Sequence, residues 1–91
     1  MINNSIKISV IVTNYNYSKF ITRCLRSLLN QEIDRKIYEI IVVDDHSNDN
    51  SVNVLQSYVD NKEIKLIINE KNEGIGYSSK IGVDNSRGKY F

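Results

Sequence analysis

The sequence has no proline, one cysteine, one histidine and four glycines in 91 residues. A single cysteine excludes an internal disulfide, and the spacing of Cys24 to Leu28 predicts a thiol in the core. With no second histidine or cysteine beside it, His46 offers no basis for a zinc centre and reads as a solvated loop residue. No apolar run approaches the roughly 20 residues of a membrane span, and the first residues lack a secretory-signal pattern. The expected location is therefore the cytoplasm, or the cytoplasmic face of a membrane. Charge of one sign is missing too: 12 Lys and Arg face 11 Asp and Glu, mixed along the chain, for a net charge of +1. That argues against nucleic acid as a partner, since a duplex binder normally shows a basic face. Arg23, Arg26, Arg35 and Lys36 read instead as a solvated helix face. Without low-complexity tracts or a long linker, residues 1–91 read as one small domain. Its 41% hydrophobic and 25% charged residues are ordinary for a globular chain.

What is present is a pair of short, β-branched runs, Ile8-Ser9-Val10-Ile11-Val12-Thr13 and Ile40-Ile41-Val42-Val43, each ending abruptly in polar groups. Runs without alternation suit strands buried on both faces of a parallel sheet. Between them, Phe20, Ile21, Cys24, Leu25, Leu28 and Leu29 form one helical stripe over about 19–31, with Ser18 as a reasonable N-cap. After the second strand (about 38–43), Ser51 or Asp49 is placed to cap a helix over 52–59. A shorter strand over 65–68 and a weaker helix over 77–85 follow, Gly76 and Gly82 lowering helix propensity there. Gly88-Lys89-Tyr90-Phe91 reads as a turn and the first residues of a fourth strand, as if the chain were the N-terminal part of a longer domain. The alternation β-α-β-α-β-α-β predicts an α/β, Rossmann-like fold, mainly parallel, with flanking helices and right-handed crossovers.

Ligands of open α/β sheets bind just beyond the carboxyl ends of the strands. At that edge the first run places Thr13, Tyr15 and Asn16, and the second places Asp44 and Asp45. A uracil ring needs an aromatic face, an acceptor for its N3 hydrogen and donors for its carbonyls. Tyr15 can supply the face, where stacking is worth about 1–3 kcal/mol. An ionised Asp only accepts, so Asp45 can take the N3 hydrogen, which cytosine lacks. Thr13 can donate to a base carbonyl or contact a ribose hydroxyl. Adjacent strand residues point to opposite faces, so Asp44 is expected to turn toward the neighbouring strand or loop. Asn72, Gly74 and Gly76 would allow a tight loop at the same edge. Gly74-Ile75-Gly76 is only a weak match to a dinucleotide fingerprint, because Ser79 replaces its third glycine. Gly82 to Gly88-Lys89 fails as a P-loop by one residue of spacing and by Tyr90 at the Ser/Thr position. A receiver-like domain is excluded by Thr13-Asn14 and Asn69 at the ends of the first and third strands. An NAD-type oxidoreductase would carry its glycines after the first strand, where there are none.

Taken together, Val10-Ile11-Val12-Thr13-Asn14-Tyr15-Asn16, Leu25 to Gln31, Ile40 to Asp49, Asn72 to Gly76 and Ser86 to Phe91 resemble the N-terminal half of family 2 glycosyltransferases of the GT-A fold. The resemblance implies that Thr13, Tyr15 and Asp45 line the uracil and ribose site of a nucleotide sugar. It departs from the family pattern at His46, where glycine is commonest, and at Ser79-Lys80, where Arg-Asn is common. Lys80 can itself approach a phosphate, which completes the candidate set Thr13, Tyr15, Asn16, Asp44, Asp45, Gly74 and Lys80. The implied reaction is inverting transfer from a nucleotide sugar, UDP-linked by the uracil argument, to the hydroxyl of a saccharide or lipid-linked acceptor in cell-surface polysaccharide synthesis. A base deprotonates the acceptor while a divalent metal, Mg or Mn, neutralises the departing diphosphate. The metal's Asp-x-Asp and the base are both expected beyond Phe91, so this chain would supply donor recognition rather than catalysis. The rival reading is a catalytically empty nucleotide-binding or interaction module.

Overall fold

The computed structural model describes residues 6–90. Four strands, β1 (Ile8–Asn14), β2 (Tyr38–Asp44), β3 (Lys65–Ile68) and β4 (Lys89–Tyr90), alternate with three helices, α1 (Ser18–Leu29), α2 (Ser51–Asp60) and α3 (Ile75–Asp84). All pairings are parallel, in the order β3-β2-β1-β4. The expected α/β alternation is therefore the observed one, with Phe91 of the expected fourth strand outside the described residues.

Strand parity decides what each face carries. The residues Tyr38, Ile40 and Val42 of β2 join Ile21 and Leu25 of α1 and Leu55 of α2 in one buried cluster. On the opposite face, Gly82 of α3 sits directly against Ile11 and Val43. Two helices thus cover one face and the third covers the other. Crossovers of one hand require this when β1, β2 and β3 step one way and β4 steps back past them. Every residue of β2 is buried, as a strand with neighbours on both sides and helices on both faces should be. By the same parity, Asn14 and Asp44 belong to the α1/α2 face, and Thr13 and Asp45 to the α3 face.

Three expectations change. Cys24 is exposed rather than in the core, and Phe20 is 59% exposed. The helix buries a narrower stripe, Ile21 and Leu25 with Leu28 and Leu29 half-buried, and leaves Phe20 and Cys24 on its flank. Arg35 is not on a helix face. It follows α1 in a loop, donates to the carbonyls of Tyr38 (3.0 Å) and Glu63 (2.7 Å), and lies 4.4 Å from the centre of the Tyr38 ring. Helix α3 begins at Ile75, so Gly76 lies inside its first turn; the positive φ (92°) belongs to Gly74.

Strand β4 is held by a buried polar knot at the amino ends of the strands. Ser9 Oγ donates to Glu39 Oε2 (2.6 Å) and accepts from the amide of Gly88 (2.9 Å), while Arg87 donates its amide (2.8 Å) and Nε (3.1 Å) to Glu39. Burial alone would raise the Glu39 pKa, but Ser9 and Arg87 together hold it below its ordinary value.

Candidate functional site

At the carboxyl edge, the loops after β1 and β2 are tied into one another. The Asp44 carboxylate is fully buried and accepts from Asn14 Nδ2 (2.8 Å), Ser47 N (2.9 Å) and Ser47 Oγ (2.7 Å). Ser47 Oγ in turn accepts from the amide of Asn16 (3.0 Å). Asn16 adopts a left-handed φ of 57°, which asparagine tolerates, and its Oδ1 accepts from the amides of Asn48 (2.7 Å) and Asp49 (3.2 Å). Asp49 closes the circuit. One of its oxygens accepts from the amide of Ser18 (3.1 Å) at the start of α1, the other from Ser51 (2.9 Å) at the start of α2. A single carboxylate therefore serves two helix N-termini, where negative charge is favoured. This replaces the expected Ser18 cap: the residue before the helix is Tyr17, with no side-chain cap bond.

Asp45 points to the other face and fastens a third loop. Its Oδ1 accepts from Asn69 Nδ2 (2.9 Å) and the amide of Glu73 (2.7 Å), and its Oδ2 from the amide of Gly74 (2.8 Å), immediately before α3. Burial pushes its pKa up, but Glu73, Asn69, Gly74 and the Ser78 hydroxyl outweigh it and hold the carboxyl below its ordinary value. Asp49 is lowered likewise, its Ser51 and Ser18 donors overcoming burial. A depressed carboxylate pKa stabilises the fold above its unfolded value and loses that contribution as pH falls through the folded one. Glu39, Asp45 and Asp49 should therefore act together. The expected result is constant stability above the ordinary carboxylate values of 3.8 and 4.5, then cooperative loss below them. Denaturant melts between pH 3 and 7 read this directly. A midpoint independent of pH across that range contradicts the three anchored carboxylates.

Above these loops lies a cavity of about 350 Å³, lined by Thr13, Asn14, Tyr15, Tyr17, Asp45, Asn72, Gly74, Ile75 and Ser78. Its size falls at the small end of ligand sites. Of the sequence-derived candidates, Thr13, Tyr15, Asp45 and Gly74 line it. Asn16 and Asp44 do not: the Asp44 carboxylate and the amide and Oδ1 of Asn16 are committed to the loop circuit after β1 and β2. Lys80 also lies off the cavity, exposed on α3 and paired with Asp84 at 2.9 Å. Sequence reasoning did not single out Asn14, Tyr17, Ile75 or Ser78 as site residues. Ser78 comes there because Gly74 caps the start of α3 one turn earlier, and the Ser78 amide bonds the Gly74 carbonyl. His46 is exposed with φ 63°, its Nδ1 3.3 Å from the carbonyl of Asn69. Among the described residues no group of three or more His, Cys, Asp or Glu can hold a metal ion. None of their helices is long and apolar enough to cross a membrane. A second depression, about 250 Å³, lies at the amino edge, but Arg35 and Glu39 in its lining are already committed to internal bonds.

The sequence profile described as glycosyl transferase family 2 matches residues 9–91. The chain belongs to this family. Among family 2 relatives, the chondroitin synthase of Escherichia coli is 39% identical over 83 residues, covering 91% of this chain and 12% of that protein. A dolichyl N-acetyl-glucosaminyl phosphate diacetamido-dideoxy-glucuronosyltransferase of Methanococcus voltae is 34% identical over 87 residues, covering 92% of this chain and 27% of that protein. The crystal structure of Staphylococcus aureus TarS with UDP-GlcNAc superposes with a TM-score of 0.85 at 33% identity, over 91% of this chain and 24% of that one. The chain thus spans well under a third of each family 2 protein it matches here.

Proposed function

We propose that this chain is the donor-recognition part of a glycosyltransferase that takes its sugar from a UDP-linked donor and passes it, with inversion, to a hydroxyl of a saccharide or lipid-linked acceptor at the cytoplasmic face of a membrane. The observation that carries this reading is the cavity at the carboxyl edge, where a half-exposed tyrosine ring, a buried carboxylate and two hydroxyl side chains line one space. The UDP-GlcNAc held by TarS supports a uridine nucleotide.

In this reading Tyr15, 39% exposed and making no hydrogen bond among the described residues, is the stacking face. Asp45 accepts the N3 hydrogen of uracil. Three of its roughly four lone-pair positions are occupied by Asn69, Glu73 and Gly74, and Ser78 competes for the last. The Ser78 hydroxyl, which accepts from Asn69 Nδ2 (2.9 Å), can turn its hydrogen from Asp45 to a uracil carbonyl as the base enters. Thr13 is the second hydroxyl donor on the wall. Asn16 and Asp44 hold the loops, and Lys80 reaches a phosphate only by leaving Asp84. The described residues hold no ligand cluster for the metal that the family resemblance implies.

Amide NMR of the protein titrated with UDP tests this. Shifts concentrated at 13–17, 44–47 and 72–78 are the expected result. A dispersed spectrum that does not respond to UDP overturns the nucleotide reading.

A further inference from the structure

Two buried polar side chains among the described residues lack a full set of partners, Ser51 at its hydroxyl and Asn14, and of the two only Asn14 lines the cavity. It is 2% exposed, and its Nδ2 donates to Asp44 Oδ1 (2.8 Å) and Ser47 Oγ (3.3 Å). Its Oδ1 is buried without a partner. The amide cannot be turned round to cure this. Turned, its oxygen would face a carboxylate oxygen of Asp44, and the Ser47 hydroxyl has already given its hydrogen to that carboxylate. The surrounding groups therefore fix the orientation. The carboxylates of Asp44 and Asp45 and the side-chain oxygen of Asn16, at the same strand ends, all have donors. Asn14 also lines both the 350 Å³ cavity and a smaller one of about 150 Å³ beside α1, which share Thr13 and Tyr17.

A buried acceptor left unsatisfied is costly, and such groups in native proteins are usually completed by a ligand, a water or an ion. Resting on the uridine reading above, we infer that Asn14 Oδ1 accepts a hydrogen bond from a ribose hydroxyl of the donor nucleotide, so that this residue sets the preference for a ribonucleotide. Elimination leads to the ribose. The nucleoside of UDP carries only three donors, N3–H and the two ribose hydroxyls, and Asp45 takes the first. The oxygen is sealed from bulk water, so entry of the nucleotide must shift a neighbouring wall. Tyr15, the flanking ring with no hydrogen bond to break, is the part that moves when a base stacks on it.

The test is a cycle in which both the residue and the hydroxyl are deleted. Binding of UDP, 2′-deoxy-UDP, 3′-deoxy-UDP and N3-methyl-UDP is measured by calorimetry on the purified protein and on Asn14→Leu, which has the same branched shape and number of heavy atoms and no acceptor. The expected result is about a tenfold loss for one deoxy ligand in the wild type, shrinking to under about threefold in Asn14→Leu. Ratios within one variant do not depend on its folded fraction, and a merely structural Asn14 would weaken all four ligands alike. Equal ratios in both proteins overturn the inference while leaving the nucleotide reading intact, provided UDP binds. Coupling to N3-methyl-UDP instead moves the contact from ribose to base and overturns it too. No binding of UDP at all sinks both readings. If Asn14→Leu does not fold, the side-chain NH₂ signals of Asn14 in the wild type decide. They should shift with UDP and stay in place with the deoxy ligand that has lost affinity; identical shifts with all ligands refute the assignment.

Discussion

Asp45→Ala is expected to remove detectable UDP binding and to lower the stability of the nucleotide-free protein by about 3 kcal/mol, through the loop it anchors. Truncation leaves three donors, Asn69 Nδ2 and the amides of Glu73 and Gly74, facing a hole where a carboxylate stood. Each unsatisfied buried donor costs about 1–3 kcal/mol, less whatever water can recover. Gly74 then loses its tether. Its φ of 92° is a conformation the chain adopts at no steric cost but does not hold without help. With it goes the entry to α3, and with α3 the position of Ser78 and Ile75 on the cavity wall.

Asp45→Asn separates the two roles. Asparagine keeps one oxygen for the loop donors but presents an NH₂ where the second oxygen was. A uracil N3–H then meets a donor, whereas the bare N3 of cytosine meets a partner it can accept from. UDP binding should therefore fall about tenfold more than CDP binding, measured side by side by calorimetry. Equal losses for the two nucleotides would show that Asp45 is only a loop anchor and that the N3 contact lies elsewhere.

Such a division of labour was only partly legible in the sequence. The parallel α/β alternation was readable because β2 is buried throughout, and a strand without an exposed face has no polar positions to blur its apolar run. The divergence of Asp44 and Asp45 follows from strand parity alone. What sequence could not supply is the pairing between loops. Asp49 bonds Ser18 across 31 positions, and Asn16 holds Asn48 across 32, so neither appears in any local pattern. Helix periodicity likewise overstated the buried stripe of α1. Phe20 and Cys24 stand one turn apart and satisfy the apolar spacing, yet they fall on the exposed flank beside Tyr17, lining a small cavity next to β1 instead of the core. Asn14 was invisible for a different reason. Within a run that ends a strand it looks like one more polar terminator, and only the surroundings of Oδ1 distinguish it.

Gly88→Ala is expected to lower stability by about 2–4 kcal/mol, through sterics at the opposite end of the sheet. A Cβ there would lie 2.6 Å from the carbonyl carbon of Lys7, 2.7 Å from the amide nitrogen of Ile8 and 2.9 Å from the carbonyl oxygen of Lys7. All three are backbone atoms at the start of β1, which is locked to β2 over seven residue pairs and cannot give way. The strain is relieved only by moving β4 outward. That breaks the bond from the Lys89 amide to the Lys7 carbonyl (2.9 Å) and the one from the Gly88 amide to Ser9 Oγ (2.9 Å). The Ser9–Glu39–Arg87 knot then loses one of its donors. At about 4–8 °C per kcal/mol for a domain of this size, the melting temperature should fall by about 8–32 °C. Gly76→Ala is the control. A Cβ at that position would have nothing within 4 Å, and the residue sits in a helix, so alanine should be neutral or gain up to about 1 kcal/mol. Because Gly88 is remote from the cavity, the folded fraction of Gly88→Ala should keep its UDP affinity, unlike Asp45→Ala. A melting temperature within two or three degrees of wild type, read against roughly 4–8 °C per kcal/mol, would mean that β4 does not dock on β1 in solution.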